Sequence, residues 1–253
     1  MQIVGARHIL SQNYLLNSLK RFEIDSSVWC VGGKIVNEYI NETGRVISKA
    51  MSSAFGMGLG NFRTLDKSGY TDTVTSPMYP YWVFEKIGFF DEELIRNQDD
   101  DFNFRVTNEG GKIYYDNDSS LKYYVRGNYS GLCRQFFQYG YWKVYVNQKH
   151  KAVTTIRQLV PPLFVSYLAL LLLLPFVSPI IFLFTSMPFA MYVLMAIYVS
   201  AKVVLEDKMV NFTNVLITFP LLHISYGLGY LNGIFEFIFL NKKPSDKQKR
   251  LSR

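Results

Sequence analysis

Three carboxylates stand on consecutive positions in one short polar stretch of this 253-residue sequence. They are Asp99, Asp100 and Asp101, preceded by Gln98 and followed one helical turn later by Arg105. Neighbouring carboxylates repel one another, so such a run must be solvated, bound to a metal ion or paired with cations. A helix N-terminus is the other common setting, because its dipole favours negative charge. The run therefore predicts either an acidic functional site or an acidic helix start.

The elements around this run indicate an α/β domain over residues 1–125. Apolar spacing predicts a helix over 12–22, and VWCVGGKIV at 28–36 is typical of a strand with a Gly-Gly turn or bulge inside it. The remaining predicted elements are helices over 43–56, 81–88 and roughly 99–108, a loop in GMGLGNFRT, and strands in TDTVTS (71–76) and KIYYD. Strands that alternate with short helices are typical of an α/β fold.

The charge is divided unevenly along the chain, whose formal net charge is +7. Residues 1–125 carry 13 Lys and Arg against 16 Asp and Glu, whereas residues 126–157 carry six basic residues and no acid. The tail, 241–253, carries six basic residues and one acid. Because the positive charge flanks an apolar block, it indicates anionic lipid rather than nucleic acid as the partner.

That apolar block, 158–240, predicts a transmembrane region of two or three helices. Residues 158–204 contain one charge, and about 20 residues suffice for one helical crossing. Pro175, Ser178 and Pro179 are natural turn positions between two crossings. Residues 211–240 are less apolar and either cross or lie in the interface. An even number of crossings keeps the basic tail on the cytoplasmic side with residues 1–125, as the positive-inside rule favours. We therefore expect a multi-pass protein of the cell membrane with a cytoplasmic front domain.

Between the two regions, residues 126–157 predict an amphipathic helix lying along the membrane surface. Aromatic residues are interleaved with Lys and Arg there, directly before the first apolar helix. Tyr, Trp and cationic side chains are common at the level of the lipid headgroups.

The stretch VFEKIGFFDEELIRNQDDDFNFRVTNEGGKIYYD resembles the carboxyl half of the catalytic domain of family 2 glycosyltransferases, of the membrane-attached succinoglycan-biosynthesis type. The resemblance implies a partial, Rossmann-like GT-A domain and places Asp99 as the general base of an inverting sugar transfer. Asp100 and Asp101 would then contact substrate, and Asp72 would lie in a loop near the substrates. The implied partners are a nucleotide-sugar donor, a lipid-linked or glycan acceptor, and membrane lipid.

A second element, RQFFQYGYWK, resembles the family's Gln-x-x-Arg-Trp motif. Gln138 and Trp142 match that motif, whereas Tyr141 replaces its arginine, which argues against a processive polymerase. Contacts to the sugar diphosphate would then fall to Arg134 or Lys143.

The sequence also departs from the family in ways that affect activity. The resemblance implies Mg²⁺ or Mn²⁺, but Gly5-Ala6-Arg7 stands where the metal-binding aspartate motif belongs, so we expect no metal ligand there. Pro77 and Pro80 stand where glycine and arginine are usual in the acceptor-binding loop. The nucleotide-binding half of the domain is not recognisable in these 253 residues.

Two hypotheses follow for the molecule. It is either a portion of a glycosyltransferase that works with a separate amino-terminal half, or an inactive glycosyltransferase-like membrane scaffold. In both cases the isolated chain is expected to lack transferase activity. A small transporter is a weaker third hypothesis, because about 157 residues precede the apolar block.

Overall fold

The computed structural model describes residues 1–58, 65–244 and 246–249, and it divides the chain into two compact units. The first unit comprises Met1–Ile40 and Met57–Val125, and the second comprises Asn41–Gly56 and Arg126–Arg253. Most of the loop predicted in GMGLGNFRT, and part of the basic tail, lie outside the described residues.

The first unit is built on a small mixed sheet. Its strands are β1 (His8–Leu10), β2 (Val28–Glu38), β3 (Gly69–Thr71) and β4 (Lys112–Tyr124). β4 is central: it pairs in parallel with β2 on one edge and antiparallel with β1 and β3 on the other. The register of β2 against β4 shifts between Gly33 and Lys34, where Asp116 and Ser120 are the partners. The extra residues, 117–119, belong to β4, so the turn or bulge predicted at the glycines of β2 is wrong.

Three helices pack with this sheet around one apolar core. They are α1 (Tyr14–Ile24), α4 (Tyr81–Ile87) and α5 (Gln98–Asn108), at the predicted places with ends displaced by one or two residues. Aromatic side chains dominate the core, where Tyr79, Phe84 and Phe102 pack ring against ring with centroids 4.7 to 5.6 Å apart. This core fixes α5 against β2 and β4, and with it the run of carboxylates at the start of α5.

The strand predicted in TDTVTS (71–76) is wrong beyond its first residue. β3 ends at Thr71, and residues 73–77 are buried without joining the sheet. The reason is a close crossing over β2: a Cβ atom at Gly32 would lie 2.4 Å from the Cβ of Val74. The alternation of Val and Thr in this stretch therefore reflects burial against Gly32 rather than strand pairing.

The second unit is helical. Its helices are α2 (Glu42–Met51), α3 (Ala54–Met57, whose last residue falls in the first unit), α6 (Tyr129–His150), α7 (Val160–Val177), α8 (Pro179–Thr185), α9 (Met187–Glu206), α10 (Phe212–Gly233) and α11 (Asp246–Lys249). A 3-10 turn, Ile156–Leu159, precedes α7, and a π-helical turn, Ile234–Phe239, extends α10. The single helix predicted over 43–56 is wrong, because the chain breaks at Ser52 and Ser53. The turn predicted near Ser178 is confirmed, since Ser178 caps α8.

Within the described residues, three stretches are long and apolar enough to cross a membrane: Ile156–Val177, Pro179–Glu206 and Phe212–Phe239. Their length and composition indicate membrane association.

The third of these stretches is paired along its length with α6. A Cβ atom at Gly229 would lie 2.0 Å from the carbonyl oxygen of Phe137, and one at Gly140 would lie 2.1 Å from that of Tyr226. Near the far end, Gln148 donates to the carbonyl of Phe237 at 3.0 Å. Small residues at these crossings let the two backbones touch, which is typical of helices packed in membranes. α6 is thus enclosed by the helical unit, and the interfacial position of 126–157 stays a prediction.

Candidate functional site

The run of carboxylates forms the first turn of α5. Asn97 precedes it in the left-handed conformation, with φ of 61°, and its side-chain amide donates to Asp100 Oδ2 at 3.1 Å. The backbone amide of Asp100 donates to Asp99 Oδ1 at 3.0 Å. Asp99 and Asp100 are half-buried and Asp101 is buried. The predicted acidic helix start is therefore confirmed, and the functional site stays a prediction for which Asp99 and Asp100 are accessible.

Asp101 is committed to an internal ion pair. It is 3% exposed, and its Oδ2 accepts hydrogen bonds from Arg105 Nε at 3.1 Å and Nη2 at 3.0 Å. The same guanidinium donates to the carbonyls of Ile87 and Phe89 at 2.7 and 2.8 Å. Asp101 and Arg105 together fasten the end of α4 to α5. The substrate contact predicted for Asp101 stays a prediction beside this positioning role.

Asp99 lies on the side of α5 that is held by a buried polar network. Asn103, one turn further on the same face, donates to Thr73 Oγ1 at 2.9 Å. Its Oδ1 accepts from the Tyr79 hydroxyl at 2.7 Å and from the Cys30 thiol at 3.6 Å. The network connects β2, the crossing segment and α5, so the helix that carries Asp99 is held by groups that are themselves buried.

Asp99 contributes to the pKa shifts of two buried groups of this network. Burial raises the pKa of Tyr79 well above its ordinary value, and the nearby Asp99 carboxylate raises it further. Burial also raises the pKa of the Cys30 thiol, again with a contribution from Asp99.

Asp72 is brought toward the same network. It is exposed, directly precedes Thr73, and accepts from the Thr71 hydroxyl at 3.4 Å. Since Thr73 is the residue bonded to Asn103, the loop that carries Asp72 is tied to α5. The structure thus connects Asp72 with Asp99 through the Thr73 and Asn103 side chains.

The positions that match the metal motif do not suit a divalent cation. Gly5 offers no ligand, and the Arg7 guanidinium donates to the carbonyls of Tyr124 and Val125 at 3.3 and 3.2 Å. Hard cations need several oxygen ligands, and an arginine in that place repels them. Nor do the described residues contain a group of three or more His, Cys, Asp or Glu side chains able to hold a metal ion.

Arg134, Gln138 and Trp142 lie on α6 in the second unit. Gln138 and Trp142 are 1% and 0% exposed, and both donate to the carbonyl oxygen of Gln248 at 3.3 Å. Arg134 is exposed, whereas Lys143 is buried. The structure brings Gln138 and Trp142 together under the tail, whereas Asp72 and Asp99 belong to the first unit.

Tyr141, which replaces the motif's arginine, has a structural partner of its own. Its hydroxyl donates to Glu236 in the π-helical turn, and the other oxygen of Glu236 accepts from Asn232 at 3.1 Å. Glu236 is the only charged residue in 209–240. Tyr141 therefore supplies a hydrogen-bond donor to the Glu236 carboxylate, which lies in an apolar segment.

Reasoning from the sequence missed the residues that position the site. Thr73, Tyr79 and Asn103 form the buried network; Thr73 and Tyr79 lie outside the recognised stretch, and Asn103 lies inside it without having been assigned a role. Asn103 could have been found as the polar residue four positions after Asp99, on the same helical face. Tyr79 gave no comparable signal, because a tyrosine between Pro77 and Pro80 can have many structural roles and the sequence does not indicate which.

Comparison with known proteins links the chain to sugar chemistry. Over 112 residues it is 27% identical to the succinoglycan biosynthesis protein ExoA of Rhizobium meliloti (strain 1021), covering 44% of this chain and 34% of that protein. Over 143 residues it is 27% identical to a dolichyl N-acetyl-alpha-D-glucosaminyl phosphate 3-beta-D-2,3-diacetamido-2,3-dideoxy-beta-D-glucuronosyltransferase of Methanococcus voltae, covering 54% of this chain and 44% of that protein. The chain thus spans less than half the length of either relative. No protein-family model matches it.

These similarities suggest a relationship to glycosyltransferases in general.

Proposed function

We propose that this chain is the carboxyl-terminal portion of a membrane-bound family 2 glycosyltransferase with a GT-A catalytic domain. It would act on a nucleotide-sugar donor and a lipid-linked or polysaccharide acceptor. The observation that carries the proposal is the placement of Asp99, half-buried at the start of α5, one helical turn before Asn103, which is held by Tyr79 and Thr73. The similarity to two proteins of sugar metabolism supports the same reaction class.

Asp99 would act as the general base of an inverting, single-displacement transfer. Its carboxylate accepts the proton of the acceptor hydroxyl while the acceptor oxygen bonds to the anomeric carbon of the donor sugar. The bond from that carbon to the diphosphate breaks on the opposite face, and the diphosphate leaves with the electron pair. A general base must come within hydrogen-bond distance of the proton that it removes, and a half-buried carboxylate is accessible to a substrate hydroxyl.

The remaining site residues would bind rather than react. Asp72 and Asp100 are accessible enough to accept hydrogen bonds from sugar hydroxyls, and Asp101 would act through Arg105. Gln138 and Trp142 would contact substrate only after the Gln248 carbonyl leaves them, because both side chains are buried beneath it. Arg134 is the exposed cation available for a diphosphate.

An inactive membrane scaffold is the second candidate function. It is favoured by one specific observation: Arg7, at the position that matches the metal motif, is used to bind the end of β4. A transferase that depends on a divalent cation would need its ligands from another polypeptide.

The test is sugar transfer by membranes that contain the chain, alone and together with the amino-terminal portion of a family 2 glycosyltransferase. Radiolabelled sugar entering the lipid fraction is the readout. Transfer in the combined sample that falls about 10²- to 10⁴-fold with Asp99→Asn supports the proposal, because that range is typical for loss of a general base. Glu92→Gln, an exposed carboxylate nearby, is the matched control and should leave transfer unchanged. Absence of transfer in both samples would favour the scaffold.

A further inference from the structure

The segment formed by α2 and α3 belongs to the helical unit although its sequence lies between two strands of the sheet. Salt bridges to Asp207 fix its first part, α2. Arg45 Nε and Nη2 donate to the two carboxylate oxygens of Asp207 at 2.9 and 2.6 Å, and Lys49 Nζ lies 3.5 Å from Asp207 Oδ2. Asp207 stands directly after Glu206, where the stretch Pro179–Glu206 ends. The charged part of α2 is therefore level with the end of a candidate membrane span.

The second part of the segment contacts the middle of the same span. The ring of Phe55 lies 5.3 Å from that of Tyr192 in α9, and 5.0 and 5.5 Å from those of Phe219 and His223 in α10. His223 Nε2 lies 3.0 Å from the carbonyl oxygen of Phe55. Tyr192 is the fourteenth residue of the 28-residue stretch Pro179–Glu206. Phe55 is thus close to the midpoint of that span.

The length of the segment limits how far it can reach from Arg45 into the bilayer. Fourteen residues separate Tyr192 from Glu206, or about 21 Å of helix at 1.5 Å per residue. Ten residues separate Arg45 from Phe55, which would cover about 15 Å if fully helical, and half of the hydrocarbon core is also about 15 Å. Because the chain turns at Ser52 and Ser53, about 15 Å is the upper limit of that reach, and the depth of Phe55 follows from its contact with Tyr192.

Hydrogen bonds within the segment satisfy backbone groups at its turn, as an environment without water requires. The chain leaves helical geometry at Ser52 and Ser53, where unpaired backbone groups would be costly in hydrocarbon. There the Ser52 and Ser53 hydroxyls donate to the carbonyls of Ser48 and Ala50, at 2.9 and 2.8 Å, and the Gly56 amide donates to Ser53 Oγ at 3.0 Å. A Cβ atom at Gly56 would lie 2.2 Å from the carbonyl oxygen of Ala50, so the turn admits only glycine.

The charge pattern fits the same arrangement. The sequence has no charged residue between Lys49 and Arg63, whereas Glu42, Arg45 and Lys49 precede that stretch. Charged side chains are expensive in hydrocarbon and favourable at the headgroups.

From these observations we infer that residues 41–56 form a re-entrant membrane element. It enters the bilayer beside α9 and α10 with Arg45 and Lys49 held at the surface by Asp207, and it carries Phe55 to mid-bilayer depth. Its partner is the lipid hydrocarbon, which the exposed side chain of Ala54 contacts. The inference is independent of the proposed transferase activity.

The test compares the two ends of the element in nanodiscs, which expose both membrane faces to solvent. Cys133→Ser leaves Cys30 as the only native thiol, and Cys30 is fully buried. Ala54→Cys and Glu42→Cys, both at exposed positions, are then labelled with a water-soluble maleimide. We expect labelling more than about tenfold slower at position 54 than at 42, because the reactive thiolate does not form in hydrocarbon. Equal rates would overturn the inference.

Nitroxide labels at the same two positions separate contact with lipid from burial in protein. The label at position 54 should collide readily with oxygen, which concentrates in hydrocarbon, and rarely with a water-soluble nickel chelate. The label at 42 should show the reverse. A label at 54 that reaches the chelate, or that reaches neither reagent, would contradict contact with lipid. Ser52→Cys, the exposed position nearest to Ala54 before Gly56, repeats both measurements if Ala54→Cys is poorly produced.

Discussion

The buried amide of Asn103 makes the sharpest prediction about how the candidate site is held. In the variant Asn103→Ala, the Tyr79 hydroxyl loses its acceptor at 2.7 Å and Thr73 loses its donor at 2.9 Å. Asn103 is 1% exposed and Tyr79 0%, so water does not replace the lost partner without a rearrangement. Removing the Asn103 side chain therefore breaks the hydrogen bond to Thr73 and leaves the buried Tyr79 hydroxyl without its acceptor.

The magnitude follows from those two costs. The bond to Thr73 contributes about 1 kcal/mol net, and a buried hydroxyl without a partner costs about 1–3 kcal/mol. The free energy for opening the first unit should therefore fall by about 2–4 kcal/mol, which is roughly a 30- to 700-fold increase in the open population, at tenfold per 1.4 kcal/mol.

Amide hydrogen exchange of β4, the central strand, measures that opening directly in the detergent-solubilised chain. The matched control is Thr107→Ala on the same helix: Thr107 is exposed, and its hydroxyl donates to the carbonyls of Asn103 and Phe104. We expect the control to change the opening free energy by less than about 0.5 kcal/mol. If Asn103→Ala accelerated β4 exchange no more than Thr107→Ala does, the positioning role of the network would be refuted.

Three further predictions concern other parts of the chain. Hydrogen bonds from Ser27 and Tyr70 lower the pKa of Asp25 to about 2, below its unfolded value of about 3.9. The contribution of Asp25 to stability should therefore be complete above about pH 4 and be lost as the pH falls toward 2. Carboxyl NMR titration should show a higher Asp25 pKa in Ser27→Ala than in the unmodified chain. The hydrogen bond from Arg45 lowers the pKa of Asp207, so Arg45→Gln should raise that pKa and reduce thermal stability at pH 7 but not well below pH 4, where Asp207 is protonated in both proteins; equal losses at both pH values would contradict this. Removing residues 241–253 should uncover Trp142 and shift its fluorescence to longer wavelength, measured as the difference from the same truncation carrying Trp142→Phe; an unchanged difference spectrum would show that the tail does not cover it.

Much of the architecture followed from local sequence patterns. The carboxylates at 99–101 predicted the start of α5, because a helix dipole favours negative charge at that end. The apolar block predicted the candidate spans, because their length and composition are set by the thickness of the bilayer. These features depend on residues close together in the chain.

The parts that were missed depend on contacts between distant residues. Val74 and Thr75 alternate like a strand, but the absence of a side chain at Gly32 lets them cross β2 instead. α2 has the pattern of an ordinary amphipathic helix, and only Asp207, 162 positions after Arg45, shows that it joins the helical unit. The role of Asn103 likewise depends on Tyr79 and Cys30, which lie on other elements.

The central claim is that Asp99 is the base of a sugar transfer. Its most direct test is the rate of sugar transfer, in membranes that contain both this chain and a family 2 amino-terminal portion, for the unmodified chain, Asp99→Asn and Glu92→Gln. The proposal predicts transfer that falls about 10²- to 10⁴-fold with Asp99→Asn and is unchanged with Glu92→Gln. Transfer that persists undiminished in Asp99→Asn would contradict it.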